Sequence, residues 1–291
     1  MVKRILLAIT LLLFLGCKES EKTNSATNSV DSKLITLFKA SNNSYPKISV
    51  HRGGKGLRNY PENCLETIKY VRDSINAVFE IDVAQTKDGR LVLLHDNTLE
   101  RTTTGSGLVK NLTYTALAKF SLVDDYGKKT NFKIPLLSEV LKWCKENNVI
   151  LTIDVKRGVS LKDIVDSIKK ANAEDISIII TYNVEQAKLV YQLAPELLMS
   201  VSARNNDEFN RLIKAGIPTK NMLAFTGTRL SKKSLYNKLH ANNIVCMLGT
   251  LGNLDERAKA RGNELYLEWL DLGVDMLATD RPFAVNKTIK K

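Results

Sequence analysis

Short runs of β-branched and apolar residues alternate with amphipathic stretches from Lys47 to Thr279. The runs predict eight parallel β-strands, which end near His51, Asp82, Asp154, Thr181, Ser202, Thr226, Leu248 and Thr279. Apolar residues at helical spacing follow them in Leu161–Ile168, Val184–Leu193, Asp207–Ala215, Ser231–Asn242 and Leu254–Leu272. Eight strand–helix repeats predict an α/β fold, the (βα)8 TIM barrel, which usually has about 250 residues.

Polar side chains fall where these strands end, which is the face that carries catalysis in such barrels. His51, Glu80, Asp82 and Asp154 lie at or near predicted strand ends. Glu80 and Asp82 are two residues apart, so their side chains leave the same face of the strand. The alternate positions are apolar, which favours a converging pair over a solvent-facing alternation.

A hairpin is predicted directly after the second strand. Thr86–Gly89 has turn composition, with glycine where a positive φ is expected, and Leu91–Leu94 is a second apolar run. Folding back about this turn sets His95 roughly opposite Glu80. An insertion at about 96–135, rich in turn formers, then forms a small elaboration over the barrel mouth.

The first residues have the layout of a secretory leader. Lys3 and Arg4 precede the apolar run Ile5–Leu15, which is too short to span a bilayer as a mature helix. Gly16 before Cys17 resembles the lipobox of bacterial lipoproteins, in which the cysteine is lipidated after cleavage. We therefore expect a signal peptide at 1–16 and an exported, membrane-anchored lipoprotein on the periplasmic or cell-surface side; an ordinary signal peptide is the alternative.

Composition divides the rest into a tether and one large domain. Residues 17–33 comprise the lipidated cysteine and a polar, flexible tether, and the barrel domain covers 34–291. Cys64, Cys144 and Cys246 are widely spaced without a C-x-x-C pair, so we expect buried small hydrophobic residues and neither a disulfide framework nor a zinc site.

The charge balance is basic, falling from +12 to +10 once Lys3 and Arg4 leave with the leader. A basic surface favours an anionic substrate or anionic lipid head groups. The lysine pairs are spread along the chain without interleaved aromatic residues, so a nucleic-acid partner is not expected. No obligate protein partner is evident either.

Several short motifs occur in a fixed order along nearly the whole chain. They are His51-Arg52-Gly53, Pro61-Glu62-Asn63, Glu80-Ile81-Asp82-Val83, Thr86-Lys87-Asp88-Gly89, His95-Asp96, Arg101-Thr102-Thr103, Ile134-Pro135 and Thr279-Asp280-Arg281-Pro282. Together they resemble the glycerophosphodiester phosphodiesterase family of the PLC-like phosphodiesterase superfamily. The resemblance implies a barrel hydrolase that converts glycerophosphodiesters into glycerol 3-phosphate and an alcohol, with a divalent cation and two histidines.

The same resemblance assigns roles to residues. It makes His51 and His95 the acid–base pair, and Glu80 and Asp82 the first two metal ligands, with Arg52 as a phosphate contact. The third ligand in the family is usually the glutamate of an E-x-K strand, and Asp154 stands in that position here. Aspartate occupies it in related sphingomyelinase and phospholipase D toxins, which is consistent with a ligand role.

The three carboxylates that the resemblance assigns have the chemistry of a cation site. Three carboxylates without thiolates or clustered imidazoles suit a hard cation, Ca²⁺ or Mg²⁺, rather than zinc. Three carboxylates, a dication and a phosphodiester leave a charge of −2, which Arg52 and Lys156 can offset. Lys156 follows Asp154 by two residues and so points to the same side of the strand.

Histidine can donate or accept a proton near neutral pH, as phosphodiester cleavage requires. Our hypothesis is that His95 donates to the leaving oxygen and His51 assists the attacker, either water or a neighbouring substrate hydroxyl. His240 is expected on an outer helix with a structural role.

The acidic and amide residues near the motifs leave alternatives. Glu62 orients Arg52 or remains solvated, and Asn63 supports the site or caps a helix through a capping box with Glu66. Asp96 positions His95 or ends the hairpin. Asp280 is expected to close a loop rather than to serve catalysis.

Two other functions remain open at this stage. One is a phospholipase, D- or C-like, that acts directly on membrane phospholipids. The other is a binding lipoprotein that has lost catalysis, since a fold alone does not prove a function.

Overall fold

The computed structural model describes residues 30–290, so the predicted leader, Cys17 and the predicted tether up to residue 29 lie outside the described residues. Residues Ser32 and Lys33, which composition assigns to the tether, already belong to the packed structure. The Ser32 hydroxyl accepts a hydrogen bond from the Leu34 amide and donates one to the Glu174 carbonyl oxygen.

Eight parallel strands close into a barrel, as the sequence predicts. The strands, with one hairpin arm, are β1 Ile48–Val50, β2 Val78–Gln85, β3 Leu91–Leu93, β4 Ile150–Val155, β5 Ser177–Thr181, β6 Leu198–Ser202, β7 Met222–Phe225, β8 Val245–Gly249 and β9 Met276–Thr279. Closure occurs because β1 pairs with both β2 and β9. The arm β3 runs antiparallel to β2, which extends three residues beyond the expected end at Asp82 to pair with it.

Helices surround the barrel. They are α1 Lys33–Leu37, α2 Leu65–Arg72, α3 Tyr114–Leu117, α4 Leu137–Glu146, α5 Leu161–Ala171, α6 Val184–Leu193, α7 Asn206–Lys214, α8 Lys233–Ala241, α9 Asn253–Arg261, α10 Leu265–Asp271 and α11 Pro282–Ile289. The prediction of one continuous helix over Leu254–Leu272 is wrong. Gly262, with a φ of 119°, ends α9, and α10 begins three residues later.

Two apolar layers hold the barrel together. Inside it, residues such as Val78, Ile178 and Leu223 pack with Phe38 and Tyr45, so α1 and the segment after it close the amino-terminal end. Outside it, the second faces of the strands pack against the apolar stripes of the helices. The carboxyl end of the barrel is left for polar groups.

The insertion at 96–135 has its own small core. Buried Leu99, Val109, Leu117 and Leu122 pack there with residues of the hairpin. Short bridges, a helical turn at Val109–Asn111 and the four-residue helix α3 take the place of long elements. The insertion is therefore a packed elaboration attached to β2 and β3.

Cys64, Cys144 and Cys246 are buried free thiols, as the sequence predicts. Among residues 30–290, every helix is too short or too polar to cross a membrane.

Candidate active site

A cavity of about 490 Å³ opens at the carboxyl ends of the strands. Both histidines and all three carboxylates that the sequence singles out line it, together with Arg52 and Lys156. The set is His51, His95, Glu80, Asp82 and Asp154. The structure therefore brings into one space side chains that come from three separate stretches of the chain.

The three acids form one cluster because their strands are neighbours in register. Asp82 on β2 is paired directly with Asp154 on β4, and Glu80 lies two residues earlier on the same face as Asp82. One carboxylate oxygen from each lies within 4.8 Å of the others. Asp82 and Asp154 are buried.

Each carboxylate is fixed by a hydrogen bond from a different part of the chain. The backbone amide of Arg52 donates to Glu80 Oε2 at 2.7 Å. Asn63 Nδ2 donates to Asp82 Oδ2 at 2.6 Å, and Asn63 Oδ1 accepts from the Asp82 amide at 2.8 Å. The hydroxyl of Tyr182 donates to Asp154 Oδ1 at 2.7 Å. These hydrogen bonds therefore fix the orientation of the three carboxylates without any bound ligand.

Arg52 lies on a tight turn that explains the first of these contacts. The turn His51–Gly53 follows β1 at once, and Arg52 takes a left-handed conformation with a φ of 52°. This conformation directs its amide toward Glu80. Gly53 also has a positive φ, and a Cβ atom there would lie only 3.0 Å from Ile68 Cγ1. Glycine is therefore favoured at this position of the motif, because a larger residue would crowd Ile68.

Lys156 places its ammonium group among the acids. Its Nζ lies 2.5 Å from Asp82 Oδ1 and 2.6 Å from Asp154 Oδ2, so the side chain points as its spacing from Asp154 predicts. Burial alone would lower the pKa of Lys156, but the two carboxylates raise it above its usual value. Lys156 is therefore a fixed positive charge at this site.

The pKa values of the acids diverge. Burial first, and then the neighbouring Asp82 and Asp154, raises the pKa of Glu80 well above its usual value. Burial would also raise the pKa of Asp82, but Lys156 and the hydrogen bond from Asn63 lower it overall. A positive charge near Glu80 would oppose this rise, because it favours the ionised carboxylate.

Each of the two histidines in the cavity contacts an aspartate through its Nδ1 atom. His51 Nδ1 lies 2.6 Å from Asp280 Oδ1, and His95 Nδ1 lies 2.6 Å from Asp96 Oδ1. When Nδ1 carries the proton for these bonds, Nε2 of a neutral ring is free to accept one. In both pairs the aspartate contacts Nδ1, so Nε2 is the ring nitrogen left for other partners.

Glu62, which lies outside the three-carboxylate cluster, binds two guanidinium groups. Its carboxylate is buried and accepts from Arg52 Nη1 at 3.0 Å and from Arg101 Nη2 at 2.7 Å. Arg101 also donates to Asp96 at 2.6 Å. Of the two expectations for Glu62, orientation of Arg52 is what the structure shows, and Arg101 links that pair to the His95–Asp96 pair.

Two alternatives from the sequence are wrong. Asn63 does not cap the following helix: Cys64 stands at the cap, and the Asn63 amide is used on Asp82 instead. Asp280 does more than close a loop, since its side chain holds His51. Its own amide donates to the buried Asp255 at 2.7 Å, which fixes the position of the pair.

Tyr182 is a site residue that the sequence analysis missed. It follows β5, the fourth barrel strand, directly after Thr181, so its place at a strand end was a usable signal. Its contact with Asp154 joins residues 28 positions apart in the chain.

A second group of ligand-type side chains lies away from the cavity. His240, Cys246 and Asp275 each offer one atom within 4.8 Å of the others. The Asp275 carboxylate already accepts bonds from His240 Nε2, the Cys246 amide and the Tyr45 hydroxyl. His240 lies on α8 as expected, in a contact that ties this helix to the starts of β8 and β9.

The fold and the cavity define the class of protein: a (βα)8-barrel enzyme with a polar cavity at the carboxyl ends of the strands, lined by two histidines that each contact an aspartate. Residues 51–284 match the model of the glycerophosphoryl diester phosphodiesterase family. The chain belongs to this family of enzymes.

Individual relatives agree with the family match. A glycerophosphodiester phosphodiesterase of Bacillus altitudinis is 30% identical over 246 residues, which are 81% of this chain and 95% of that protein. The match covers less than two thirds of two other curated relatives, 65% of a Bacillus subtilis protein and 63% of a glycerophosphodiester phosphodiesterase of Caldanaerobacter subterraneus.

Solved structures show the same fold. A glycerophosphoryl diester phosphodiesterase of Parabacteroides distasonis superposes with a TM-score of 0.83 at 31% identity, over 90% of this chain and 92% of that one. An Oleispira antarctica phosphodiesterase in complex with the product sn-glycerol-3-phosphate has a TM-score of 0.68 at 20% identity, over 85% and 98% of the two chains. The second likeness concerns the fold alone.

Proposed function

We propose that this protein hydrolyses glycerophosphodiesters to glycerol 3-phosphate and an alcohol. The observation that carries the proposal is the convergence of two aspartate-bonded histidines and a three-carboxylate cluster in one cavity. Family membership and the relatives named for this activity support the substrate class. A non-catalytic binding protein would have no need of this combination of groups.

The phosphate group would lie between Arg52 and Lys156. Arg52 lines the cavity, and its Nε, 3.8 Å from Asp82 Oδ2, is buried without a hydrogen-bond partner in the described part of the chain. Arg52 Nη1 is held by Glu62, which fixes the plane of the guanidinium group. Two fixed cations also oppose the charge that builds on the phosphoryl oxygens in the transition state.

The acidic cluster fits a divalent cation of the hard class. Its donors are carboxylate oxygens only, which suits Ca²⁺ or Mg²⁺, and Glu80, Asp82 and Asp154 would hold the ion. When bound, such an ion supplies positive charge that polarises the phosphodiester. Lys156, which contacts two of the acids, would add positive charge beside the ion.

The histidines would move the protons. In the net reaction an oxygen of water forms a bond to phosphorus, and the bond from phosphorus to the leaving alcohol breaks. His51 takes the proton of the attacking oxygen through Nε2, and His95 gives one to the leaving oxygen. Asp280 and Asp96 hold the two rings and stabilise each imidazolium while it exists. A neighbouring hydroxyl of the substrate is the alternative attacker.

The protein would act outside the cytoplasm, anchored through a lipid on Cys17. The apolar run Ile5–Leu15 and the Gly16-Cys17 pair support this part of the proposal. Replacement of Cys17 by serine should move the protein from the membrane fraction to the soluble fraction. Equal membrane retention of the variant would contradict the lipid anchor.

The function is tested with purified protein from residue 18 to 291. Release of glycerol 3-phosphate is measured on several soluble glycerophosphodiesters, with chelator and then with added Ca²⁺ or Mg²⁺. We expect hydrolysis that chelator abolishes and added cation restores. Hydrolysis that chelator leaves unchanged would remove the metal from the account, and attack on intact phospholipid alone would establish a phospholipase instead.

A further inference from the structure

A second cavity, of about 420 Å³, lies beside the active site. It is a groove between the insertion and the loop that follows β4. Lys110 and Asn97 belong to its insertion side, and Arg157 and Gly158 to its loop side. No part of the proposed hydrolysis uses these residues.

The groove and the active site share a wall. Lys156 lines both cavities, so the groove begins where the phosphate site ends. Asn97 follows His95 by two residues, which places the groove on the side of the histidine assigned to the leaving oxygen. A diester seated at Lys156 would therefore extend its leaving alcohol toward this groove.

The charge of the groove differs from that of the active site. Its lining contains Lys110, Lys156 and Arg157 and no acidic residue, whereas four carboxylates line the active-site cavity. Within residues 30–290, the salt bridges include none to Lys110 or Arg157, although both side chains are exposed and the chain carries many acidic groups. The groove thus has two cations that no acid of the described chain neutralises.

We propose that this groove binds the leaving alcohol of the substrate and selects alcohols that carry an anionic substituent, a carboxylate or a phosphate. The inference rests on the proposed hydrolysis and adds a substrate class to it. The guanidinium of Arg157 can hold two oxygens of such a group, and Lys110 adds a point charge from the opposite wall. The Asn97 amide supplies a neutral polar contact near the reacting bond.

Glycerophosphoserine and glycerophosphoethanolamine test the proposal, because they differ by one carboxylate on the leaving alcohol. The full protein is assayed with each, and kcat/KM is compared. We expect about a tenfold preference for the serine diester, a size consistent with two partly solvated charge contacts. Added salt should reduce the preference, because screening weakens exposed charge contacts.

The double variant Lys110→Gln, Arg157→Gln removes both charges and keeps side chains of polar character. It should lower kcat/KM for the serine diester about tenfold and leave that for the ethanolamine diester within about twofold. A matched control, Arg72→Gln with Lys188→Gln, removes two exposed cations that line neither cavity and should change neither value.

The possible outcomes distinguish failure of the groove assignment from failure of the proposed hydrolysis. Equal hydrolysis of both diesters by the natural protein, or a serine preference that survives in the double variant, overturns the groove assignment and leaves the hydrolase intact. Absence of hydrolysis with both diesters overturns the proposed function and the groove assignment with it. A similar loss of preference in the control variant would assign the effect to net charge rather than to the groove.

Discussion

At the scale of single residues, the site depends on side chains that hold other side chains. Asp280 holds His51, Asn63 holds Asp82, and Tyr182 holds Asp154. Each of these contacts is a hydrogen bond of 2.6 or 2.7 Å. The reacting groups should therefore be sensitive to changes one contact away from them.

Replacement of Asp280 by asparagine tests the first of these contacts. The variant keeps the shape of the side chain but loses the carboxylate charge next to His51 Nδ1. We expect kcat to fall about a hundredfold or more with a smaller change in KM. The measurement is a steady-state assay on a soluble glycerophosphodiester. A kcat within a few-fold of the natural protein would show that His51 works without this support.

Replacement of Tyr182 by phenylalanine tests the third contact. Loss of the hydroxyl leaves Asp154 Oδ1 without its donor, so the carboxylate is less well oriented for a cation. We expect the affinity for the activating cation to fall about tenfold, measured by calorimetric titration. Tyr191→Phe, on α6 with no hydrogen bond from its hydroxyl in the described structure, serves as the control. Unchanged affinity in Tyr182→Phe would contradict the role.

At the scale of elements, His240 joins α8 to the end of the barrel opposite the active site. The hydrogen bond to Asp275 raises the pKa of His240 above its usual value of 6.5, although burial opposes the shift. A raised pKa in the folded state means that protonation stabilises the fold. This contribution is complete below about pH 6.5 and is lost as the pH rises through the folded-state pKa.

His240→Gln should therefore destabilise the protein more in mild acid than in alkali. The expected loss is about 1 kcal/mol in the free energy of unfolding near pH 5.5, with a smaller difference near pH 9. Urea denaturation at the two pH values measures it. A difference that grows with pH would contradict the assigned direction.

The insertion is held by its own core, and Leu99 is one of its fully buried residues. Leu99→Ala should cost about 2–5 kcal/mol in the free energy of unfolding, since it leaves a cavity in a packed site. Leu189→Ala, on the outer face of α6 and 43% exposed, should cost less than about 1 kcal/mol. Equal effects would show that the insertion is loosely packed.

The periodicity of apolar residues was enough to predict much of the fold, and the spacing of polar residues was enough to predict part of the site. All eight barrel strands could be predicted because each is a short apolar run, and Glu80 and Asp82 could be paired because two residues of a strand share a face. The break at Gly262 was missed because the apolar spacing continues on both sides of it.

Contacts between distant parts of the chain could not be predicted in this way. Asp280 and His51 are 229 positions apart, so nothing in the local pattern of Thr279-Asp280-Arg281-Pro282 shows which residue the carboxylate reaches. Asn63 has a sequence typical of a helix cap, and only the approach of β2 gives its amide a better partner. Such choices are made by tertiary structure.

At the scale of the whole molecule, barrel closure creates the site. β1 and β9 bring His51 and Asp280 together, and the neighbouring β2 and β4 bring the acids into one cluster. The hairpin returns His95 to the same rim. The positions of the two histidines therefore depend on the closure of the barrel and on β3 rather than on any single loop.

If these groups act together on a phosphodiester bond, replacement of His95 by alanine should remove most of the activity. The measurement is the release of glycerol 3-phosphate from a soluble glycerophosphodiester, with circular dichroism to confirm that the variant is folded. We expect kcat of the His95→Ala variant to fall about a thousandfold. A folded variant that releases glycerol 3-phosphate at nearly the natural rate would contradict it.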